Sequence, residues 1–578
     1  MAAAPEPGKF RARLARRPLR ALLLAALLGL LLPASPAAAQ LSPDEDWRTF
    51  ETPRFRVTYP ARLEGLARRA GARAELAWDQ LATVLPRAPS GGRVDLVLTD
   101  HVDFSNGFAS VAPRRRIVVY ARPPVDAGGL TYFDDWMELV ITHELAHVFH
   151  LDLTSRFGRA LRDVFGRVPG SWPFYPELDT PKWVVEGLAV YYETALTSSG
   201  RGEGTYHDMV VRTAALEDAL ETIDRTSGQS PQWPGGDRAY VYGSTFFAWL
   251  LERHGPEKMA DLIEAIAGQW IPYRLNSAAK HAFGVSFSDE WDVWMAETRV
   301  RADSVQAALA RRAPLTVTEP ITRGARYVVS PAISPDGRTL AFVRVDGLTD
   351  PQIRIAEPDG SNSRQLTRIN GPPFFSWAPD GSVIVAQVEL DGPYRAPRDL
   401  YRIDASGRST PLTHGARLDH PSVARDGRTA FAIQNRDGAI DLVRVDLASG
   451  AVTPVLPPEP DVLWAFPSPS PDGRFIAAAR WRRGRSFDLV LLGSDGRVVR
   501  QLTDDRAVEQ SPTWSADGRY LLWISDRSGI PNVYATTVDA NGQLGPVRQV
   551  TNVATGIAYP SLDPSGRWIY AALYHADG

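Results

Sequence analysis

The second half of the chain repeats one short turn-and-strand pattern at a nearly constant spacing. Six turn motifs, five of them with Asp-Gly at their centre, follow one another every 44 to 48 residues and begin at Ser334, Ala378, Ala424, Ser470, Ser515 and Asp563. An alternating apolar strand follows each turn, as at residues 339–343 and 520–524, and several repeats close on Gln-Leu-Thr or a close variant. A period of this length, built from four short strands, predicts propeller blades in which the Asp and Gly residues shape turns.

The phase of the repeat predicts how the ring of blades closes. Residues 317–322 are similar to the closing strand of a repeat but precede the first complete one, so we expect them to complete the last blade and latch the ring. The sequence stops at residues 575–578, where earlier repeats are only turning from their second strand to their third. This phase predicts that the chain as given is cut short and that its last blade is incomplete.

Helices prevail in the first half of the chain. Short strands are predicted at residues 55–59, 93–99 and 116–121, with a helix over 61–84. Later apolar residues at helical spacing predict helices over 136–149, 181–196, 208–223, 240–254, 256–268 and 288–311. The predicted fold class is therefore multidomain: an α+β, mostly helical domain over residues 40–312, followed by an all-β propeller of about six four-stranded blades over residues 313–578.

One predicted helix carries the pentad His143-Glu144-Leu145-Ala146-His147. Residues four apart lie on one face of a helix, so the two imidazoles can bind one metal ion from the same side. A catalytic zinc needs a third protein ligand and an open position for water. Glu186, on the helix predicted over 181–196, is the candidate third ligand, and Glu144 then faces the water as general base.

The structural alternative for this pentad is a pair of core histidines with satisfied hydrogen bonds. Unpartnered polar groups on an apolar, buried helix are costly, and this cost favours metal binding. Glu193, seven residues after Glu186, either orients a ligand imidazole or is an ordinary surface carboxylate. His150 lies about 10 Å along the helix axis from His143, too far to share one ion, and is predicted to be a cleft or surface residue.

The pentad and the later run Trp183-Val-Val-Glu-Gly-Leu-Ala189 resemble the gluzincin metallopeptidases, in which a Trp-x-x-Glu-Gly-x-Ala run follows a His-Glu-x-x-His helix. More narrowly, the chain is similar to the "peptidase MA-like" zinc metallohydrolases that carry a TolB-type propeller, and its repeats resemble TolB and WD40-like "PD40" propellers. The resemblance implies one zinc ion bound by His143, His147 and Glu186, with Glu144 as the catalytic base in the hydrolysis of peptide bonds.

The same resemblance implies finer features. Gluzincins often hydrogen-bond the developing oxyanion with a downstream tyrosine; of Tyr240 and Tyr242 we favour Tyr242, and packing of both in the core is the alternative. Gluzincins also pair the substrate with an edge strand before the zinc helix, here residues 116–121, for which an ordinary core strand is the alternative. The Gly-x-Met-Glu-Asn run of gluzincin aminopeptidases is absent from the sequence, which favours an endopeptidase. Residues 123–131 and 198–204 are candidate mobile cleft walls.

Residues 1–39 have the pattern of a secretory signal peptide. A basic stretch precedes an apolar stretch and three alanines, so we expect cleavage after Ala39 and an exported protein, periplasmic or secreted, of a bacterium. No later segment of the sequence has the apolar length of a membrane span. After cleavage 58 basic and 66 acidic residues remain, which argues against nucleic acid as a partner. The absence of cysteine excludes thiol catalysis, thiolate metal ligands and disulfides.

Three functions compete. The patterns favour an exported zinc endopeptidase acting on a peptide or protein substrate, with a propeller that binds a protein partner or limits access to the cleft. The alternative is a non-catalytic envelope scaffold in which the propeller is the functional part; an intact Glu144 argues against it. A propeller-gated serine hydrolase is the third, but no Gly-x-Ser-x-Gly elbow occurs in these 578 residues.

Overall fold

A computed structural model describes residues 42–125, 128–228, 233–322 and 324–578. The signal segment predicted over residues 1–39 lies outside the described residues. Residues Asp44–Gly578 form one compact unit, with helices in its N-terminal part and many strands in its C-terminal part, as predicted. None of the described helices combines the length and the hydropathy that crossing a bilayer requires.

A five-stranded sheet opens the helical part. Its strands are β1 (Trp47–Glu51), β2 (Phe55–Pro60), β3 (Val94–Thr99), β4 (Gly107–Ser110) and β5 (Arg116–Tyr120), in the spatial order β1-β2-β3-β5-β4. Strands β2, β3 and β5 run parallel, and helix α1 (Glu64–Val84) crosses over from β2 to β3. Strand β4 pairs antiparallel with β5 alone and is therefore an edge strand of this sheet.

The prediction that residues 116–121 form the substrate-binding edge strand is wrong. These residues form β5, which pairs with β3 on one side and with β4 on the other. The chain makes a tight hairpin between β4 and β5, so that β4 takes the outer position and β5 lies inside the sheet. Ile117 and Val119 of β5 are fully buried, as in an ordinary core strand.

The remaining helices of this part carry the candidate site or pack around it. They are α2 (Trp136–Leu151), α3 (Arg156–Phe165), α4 (Lys182–Leu196), α5 (Thr205–Leu216), α6 (Arg238–His254), α7 (Lys258–Ala267), α8 (Leu275–Phe283) and α9 (Phe287–Arg312). The sequence analysis does not predict α3 and α8, which have only 10 and 9 residues, although α3 carries an apolar stripe at helical spacing. Helix α5 ends before the predicted residue 223, since Asp218 has a left-handed φ of 51°.

Two local features position the helices of the site. Helix α2 begins at a side-chain cap, where the Asp135 carboxylate accepts a hydrogen bond of 3.1 Å from the Met137 N–H. Helices α4 and α6 cross at Gly187 and Gly243, where a Cβ on either glycine would meet the backbone of the other helix. Because neither residue carries a side chain, the two backbones approach closely, and Tyr240 of α6 comes to lie beside α4.

Consecutive antiparallel sheets make up the C-terminal part. Their strands are β6 (Tyr327–Ile333), β7 (Leu340–Val345), β8 (Gln352–Ala356), β9 (Arg364–Arg368), β10 (Phe375–Trp377), β11 (Val383–Val388), β12 (Arg398–Ile403), β13 (Ser409–Pro411), β14 (Leu418–Val423), β15 (Thr429–Arg436), β16 (Ala439–Asp446), β17 (Val452–Pro454), β18 (Val462–Pro469), β19 (Phe475–Arg482), β20 (Phe487–Gly493), β21 (Val498–Gln501), β22 (Glu509–Trp514), β23 (Tyr520–Ser525), β24 (Asn532–Thr537), β25 (Arg548–Gln549), β26 (Ile557–Leu562) and β27 (Ile569–Leu573). The strands from β6 to β25 fall into five consecutive groups of four, and each group forms an antiparallel meander. Strands β26 and β27 form a two-stranded sheet.

The sheets follow one another around a ring. The first strands of successive sheets pack together in the order β6, β10, β14, β18, β22 and β26, and β26 packs against β6. A hydrogen bond of 3.3 Å from the Ile333 N–H to the Ser561 hydroxyl joins the last sheet to the first. This closure is the arrangement of a propeller, in which no inner strand is left without a neighbouring blade.

The segment predicted to latch the ring, residues 317–322, forms no strand. It nevertheless occupies the position of a closing segment, as a repeated glycine contact indicates. A Cβ at Gly360 would meet the carbonyl oxygen of Ile321, and one at Gly407 would meet that of Leu366 in the same way. Ile321 therefore has the same position relative to the first sheet as Leu366 has relative to the second sheet. The predicted position of the closing segment is right, but the predicted strand does not form.

A buried ionic cluster and an aromatic contact join the propeller to the helical part. Arg417 of the propeller pairs with Asp100 and Asp103, which follow β3, at 2.7 Å each. The Trp481 ring lies 4.9 Å from that of Phe133 and donates its Nε1–H to the Phe133 carbonyl at 2.9 Å. Because Phe133 shortly precedes α2, the propeller holds the N-terminal end of the helix that carries the pentad.

Candidate metal centre

The two histidines of the pentad share one face of α2. This helix is buried along almost its whole length, from Trp136 to His150. His143 and His147 turn their Nε2 atoms toward each other at 3.1 Å, with the ring planes at 90°. Two imidazole nitrogens facing each other this closely, inside an apolar helix, need a shared proton or a cation between them.

Helix α4 brings the Glu186 carboxylate to the same point. Its Oε2 atom lies 3.2 Å from His147 Nε2 and 3.6 Å from His143 Nε2. A tetrahedral zinc ion with ligands at about 2.1 Å separates neighbouring ligand atoms by roughly 3.4 Å, so the three observed spacings match the edges of such a tetrahedron. Among the described residues, no other three potential ligand side chains converge in this way.

The buried polar atoms of this group fit a metal ion. Glu186 Oε2 is buried without a hydrogen bond of regular geometry, although it faces both imidazoles. Burial acts to raise the Glu186 carboxylate pKa, but the adjacent imidazoles, when protonated, hold it far below its usual value through their charge and hydrogen bonds; a metal ion would replace that positive charge. Two imidazole nitrogens and one carboxylate oxygen are the donor set of a zinc site with an open position.

A buried carboxylate orients the first histidine. The sequence left two alternatives for Glu193: it orients a ligand imidazole, or it is an ordinary surface carboxylate. The structure supports the first, because Glu193 is fully buried and its Oε2 lies 2.8 Å from His143 Nδ1. The His143 tautomer that donates through Nδ1 to this carboxylate leaves its Nε2 lone pair facing His147 and Glu186; the Arg201 Nη2, a donor, lies 2.8 Å from the same Nδ1. Arg201 holds Glu193 in place by donating to both carboxylate oxygens, at 2.8 and 2.6 Å.

Glu144 lines the cleft beside the edge strand. Its carboxylate is buried, and desolvation raises its pKa above the usual value, although the two histidines act to lower it. A Cβ at Gly107 of β4 would lie only 2.9 Å from Glu144 Oε1 and 2.7 Å from Val140 Cγ2. The backbone of β4 therefore passes close to Glu144 at Gly107, and a side chain at this position would displace Glu144 or Val140.

Tyr242, predicted as the oxyanion donor, lies outside the site. Its hydroxyl accepts a hydrogen bond of 3.3 Å from the Glu221 N–H, and its ring packs against Trp291 and Trp294. Residues two apart on a helix point in nearly opposite directions, so only one of the two tyrosines can face α2. That residue is Tyr240, which stacks on His143 at 6.2 Å and lines the cleft.

The cleft next to the histidines has a volume of about 280 Å³. The segment predicted as a cleft wall over residues 198–204 supplies Arg201, and Gly128 and Gly129 of the other predicted wall also line the cleft. His207, which sequence reasoning missed, lies in the lining as well; burial lowers its pKa to about 3, and the nearby Arg201 acts in the same direction. Neither Arg201 nor His207 belongs to a recognisable motif, so only the folded chain identifies them.

His150 is neither a cleft nor a surface residue, and that prediction is wrong. It is fully buried, and its Nε2 atom lies 2.8 Å from Glu177 Oε2, which is buried as well. Glu177 belongs to the short 3-10 turn Pro176–Asp179 that leads into α4. The pair therefore ties the end of α2 to the beginning of the helix that carries Glu186.

No family model matches the chain. The uncharacterised protein Atu1656 of Agrobacterium fabrum is 30% identical over 207 residues, which cover 33% of this chain and 68% of that protein. The chain belongs to the family of Atu1656. Since this relative is itself uncharacterised, membership assigns no reaction.

Other relatives match shorter stretches. The Tol-Pal system protein TolB of Francisella tularensis is 35% identical over 95 residues, 16% of this chain and 20% of TolB. The uncharacterised peptidase YuxL of Bacillus subtilis is 30% identical over 158 residues, 27% of this chain and 22% of YuxL. The chain thus spans about a fifth of each of these two relatives. A solved structure of TolB from Acinetobacter baumannii matches 38% of this chain and 56% of its own, at 20% identity and a TM-score of 0.31. The sequence match to TolB, together with the ring of antiparallel sheets described above, indicates a TolB-like β-propeller, and an uncharacterised peptidase is among the relatives.

Proposed function

We propose that the chain is an exported zinc-dependent metallopeptidase that cleaves peptide bonds within a polypeptide. One observation carries the proposal: His143, His147 and Glu186 place three ligand atoms at tetrahedral spacing, 3.1 to 3.6 Å apart. Three protein ligands leave one position open, as in catalytic rather than structural zinc sites. Glu144 lines the cleft next to this position, where a purely structural site has no use for a carboxylate.

Zinc, when bound, supplies Lewis acidity that lowers the pKa of water and polarises the substrate carbonyl. Glu144 takes a proton from the attacking water and later delivers it to the leaving amine. Burial, which raises the pKa of Glu144, suits both steps, because a carboxylate with a raised pKa binds and releases a proton nearer to neutral pH.

Tyr240 is the candidate donor to the oxyanion. Burial and the nearby Glu186 carboxylate raise the pKa of its phenol, so that it stays protonated at neutral pH. A phenol O–H held beside the ligands can donate to the carbonyl oxygen as negative charge develops on it. Arg201 and Glu193 act as positioning residues, since they orient His143 rather than contact the substrate.

The edge strand β4 is the candidate binding surface for the substrate backbone. Its outer edge is unpaired in the sheet, and Gly107 brings it against Glu144. An extended peptide that adds to this edge forms main-chain hydrogen bonds that do not depend on its side chains. A second cavity of about 290 Å³, lined by Lys182, Glu186 and Tyr240, shares Tyr240 with the cleft. Further space next to Glu186 supports cleavage within a chain.

We assign partner binding or access control to the propeller. Tyr132, just before α2, shares the Asp526 carboxylate of the propeller with Thr205, the first residue of α5, at 2.8 and 2.9 Å. These contacts attach the segment before α2 and the start of α5 to the propeller, and both lie next to the cleft. A partner bound to the propeller would therefore be near the entrance of the cleft.

The test replaces Glu144 with glutamine and measures zinc content and peptide hydrolysis together. Glu144→Gln keeps the size of the side chain and the three ligands but removes the proton acceptor. We expect one zinc ion per chain in the wild type and the variant, and a loss of hydrolysis of at least about a hundredfold in the variant. Glu138→Gln, on the same helix but paired with Arg73, is the matched control and keeps full activity.

Treatment with a chelator should abolish hydrolysis, and added zinc should restore it. A wild-type protein that binds no zinc would refute the metal site itself. A zinc-bound protein with equal activity in the Glu144→Gln variant would remove Glu144 from the reaction. Zinc binding without hydrolysis of a peptide library would favour the envelope scaffold over the peptidase.

A further inference from the structure

Helix α3 turns its apolar side to solvent. Its apolar residues recur at the spacing of one helical face, namely Phe157, Ala160, Leu161, Val164 and Phe165. In a globular protein such a stripe normally packs on the core. Here Val164 is 75% exposed and Phe165 64% exposed. Among the described contacts of the chain, nothing covers them.

A second segment extends this exposed surface. Trp270 is 74% exposed and Tyr273 is 77% exposed, in the loop between α7 and α8. The Trp270 ring stacks on that of Phe157 at 5.7 Å, and Trp172 donates its Nε1–H to the Gln269 carbonyl at 3.2 Å. We call the exposed side of α3 together with residues 270–273 the apolar face. It is one continuous patch, far larger than the single exposed apolar residues that are common on soluble proteins.

Exposed arginines flank the apolar face: Arg156 at the start of α3 and Arg274 directly after residues 270–273. A cavity of about 420 Å³ beside α3 holds further arginines, several of them nearly buried, together with two aspartates: Arg87, Arg115, Arg159, Arg162, Arg167, Asp152 and Asp163. Asp152 alone pairs with three of these arginines. The Nε atom of Arg162 is buried without a hydrogen-bond partner. The excess of positive charge is local, because the whole chain has a net charge of −3.

This composition indicates what covers the face. Tryptophan and tyrosine side chains favour the headgroup level of a bilayer, where one end of the ring is apolar and the other is hydrated. Arginines at that level contact the phosphates of anionic lipids. A second copy of the chain is a poorer occupant, since a symmetric contact would bring the same arginines against one another.

We propose that the apolar face is a docking surface for an anionic lipid bilayer. The exposed side chains of α3 and of residues 270–273 enter the headgroup region, and the exposed Arg156 and Arg274 contact lipid phosphates. Helix α3 has 10 residues, a length of about 15 Å, so it lies in the plane of the interface rather than crossing the bilayer. The inference goes beyond the peptidase reaction, because it concerns where the protein acts and not what it cleaves.

Vesicle co-sedimentation tests the proposal on the full chain. Vesicles of equal amounts of phosphatidylglycerol and phosphatidylcholine are compared with vesicles of phosphatidylcholine alone, at physiological salt. We expect binding to the anionic vesicles, and a roughly tenfold or greater loss of binding in the double variant Val164→Ser, Phe165→Ser and in Trp270→Ser. The matched control is Leu348→Ser, a leucine that is 82% exposed on the propeller.

A charge reversal tests the contribution of the arginines to lipid binding. Arg156→Glu, at the exposed start of α3, should weaken binding to anionic vesicles, whereas Arg567→Glu, on an exposed turn of the propeller, should not. Unchanged zinc content and thermal stability show that the variants are folded.

Three results would overturn the proposal. The first is a wild-type protein that does not bind the anionic vesicles. The second is equal binding by the wild type and the serine variants. The third is a wild-type dimer that the double variant Val164→Ser, Phe165→Ser converts to monomer, because the face would then join two copies of the chain.

Discussion

Tyr240 and Tyr242 are chemically identical and two positions apart, yet they have different environments. Tyr240 lies against His143 and below the guanidinium of Arg201, whose carbon is 5.0 Å from the ring centroid. Tyr242 is buried on the opposite side, among the tryptophans of α9. The helical rotation of about 100° per residue separates the two side chains, so one serves the site and the other the core.

Tyr240→Phe is expected to lower kcat by roughly a hundredfold or more, because the oxyanion loses a donor that acts in the transition state. Zinc content should not change, since no ligand atom is removed. The measurement is steady-state kinetics on the best peptide substrate, together with metal analysis. Tyr242→Phe is the matched control. It loses only a hydrogen bond to the Glu221 N–H, which costs about 1 kcal/mol of stability, and should keep its kcat. A large loss of kcat in Tyr242→Phe but not in Tyr240→Phe would instead identify Tyr242 as the donor to the oxyanion.

Sequence reasoning predicted that His143, His147 and Glu186 come together and gave Glu193 as one alternative for orienting an imidazole, but it did not predict Arg201. His143, His147 and Glu186 stand in recognisable runs, so their meeting is predictable from helical geometry. Arg201 comes from an irregular loop that only the fold brings within hydrogen-bond distance of Glu193. A loop has no periodicity to indicate which side chain points inward, and the contribution of Arg201 was therefore not predictable from one sequence.

At the scale of elements, Glu186 and Gly187 of α4 are adjacent but have different roles: Glu186 is the proposed metal ligand, and Gly187 sets how closely two helices pack. Gly187, next to Glu186, contacts the backbone of α6 at Gly243. The glycine therefore sets the distance between the two helices that carry Glu186 and Tyr240. A side chain at this point would separate the helices, because both contacting groups are backbone and neither can rotate away.

Gly187→Ala is expected to destabilise the protein by about 1 to 3 kcal/mol and to weaken zinc binding, as Glu186 moves away from the histidines. Thermal unfolding and zinc titration measure the two effects. Gly65→Ala in α1 is the matched control, because nothing lies within 4 Å of a Cβ at that position. Alanine is the better helix former, so the control should be as stable as the wild type or more stable. Tight zinc binding by the Gly187→Ala variant would show that the helices tolerate a wider separation.

Long, periodic elements were predictable from the sequence, and short ones were not. The pentad helix α2 shows its apolar pattern over four turns, whereas β4 has only the four residues Gly107–Ser110. Four residues with a glycine and a serine give no clear alternation, so β5 was predicted in the place of β4. Helix α3 shows a strong apolar stripe, but the stripe alone does not reveal that it faces solvent.

At the scale of the whole molecule, the repeats predicted the propeller, while the docking of the two parts was not predictable. The turn motifs recur six times, and each repetition supports the others. Arg417 and Asp100, by contrast, are 317 positions apart and belong to no motif. Buried ion pairs of this kind fix an orientation, because a misplaced carboxylate would be buried without a partner. Asp100 and Asp103 are almost fully buried, and Arg417 compensates both, together with Arg62, which pairs with Asp100, and Asn435, which donates to Asp103.

Arg417→Met is therefore expected to cost about 1 to 3 kcal/mol, because two buried carboxylates lose the hydrogen bonds of Arg417 while Arg62 and Asn435 still contact them. Differential scanning calorimetry should show a lower Tm, and the single transition of the wild type should split in two as the helical part unfolds apart from the propeller. Arg368→Met is the matched control: Arg368 and its partner Asp350, 3.4 Å away, are both mostly exposed on the propeller, a contact worth at most about 1 kcal/mol. Equal shifts in the two variants would mean that the ionic cluster adds no more to docking than a surface pair.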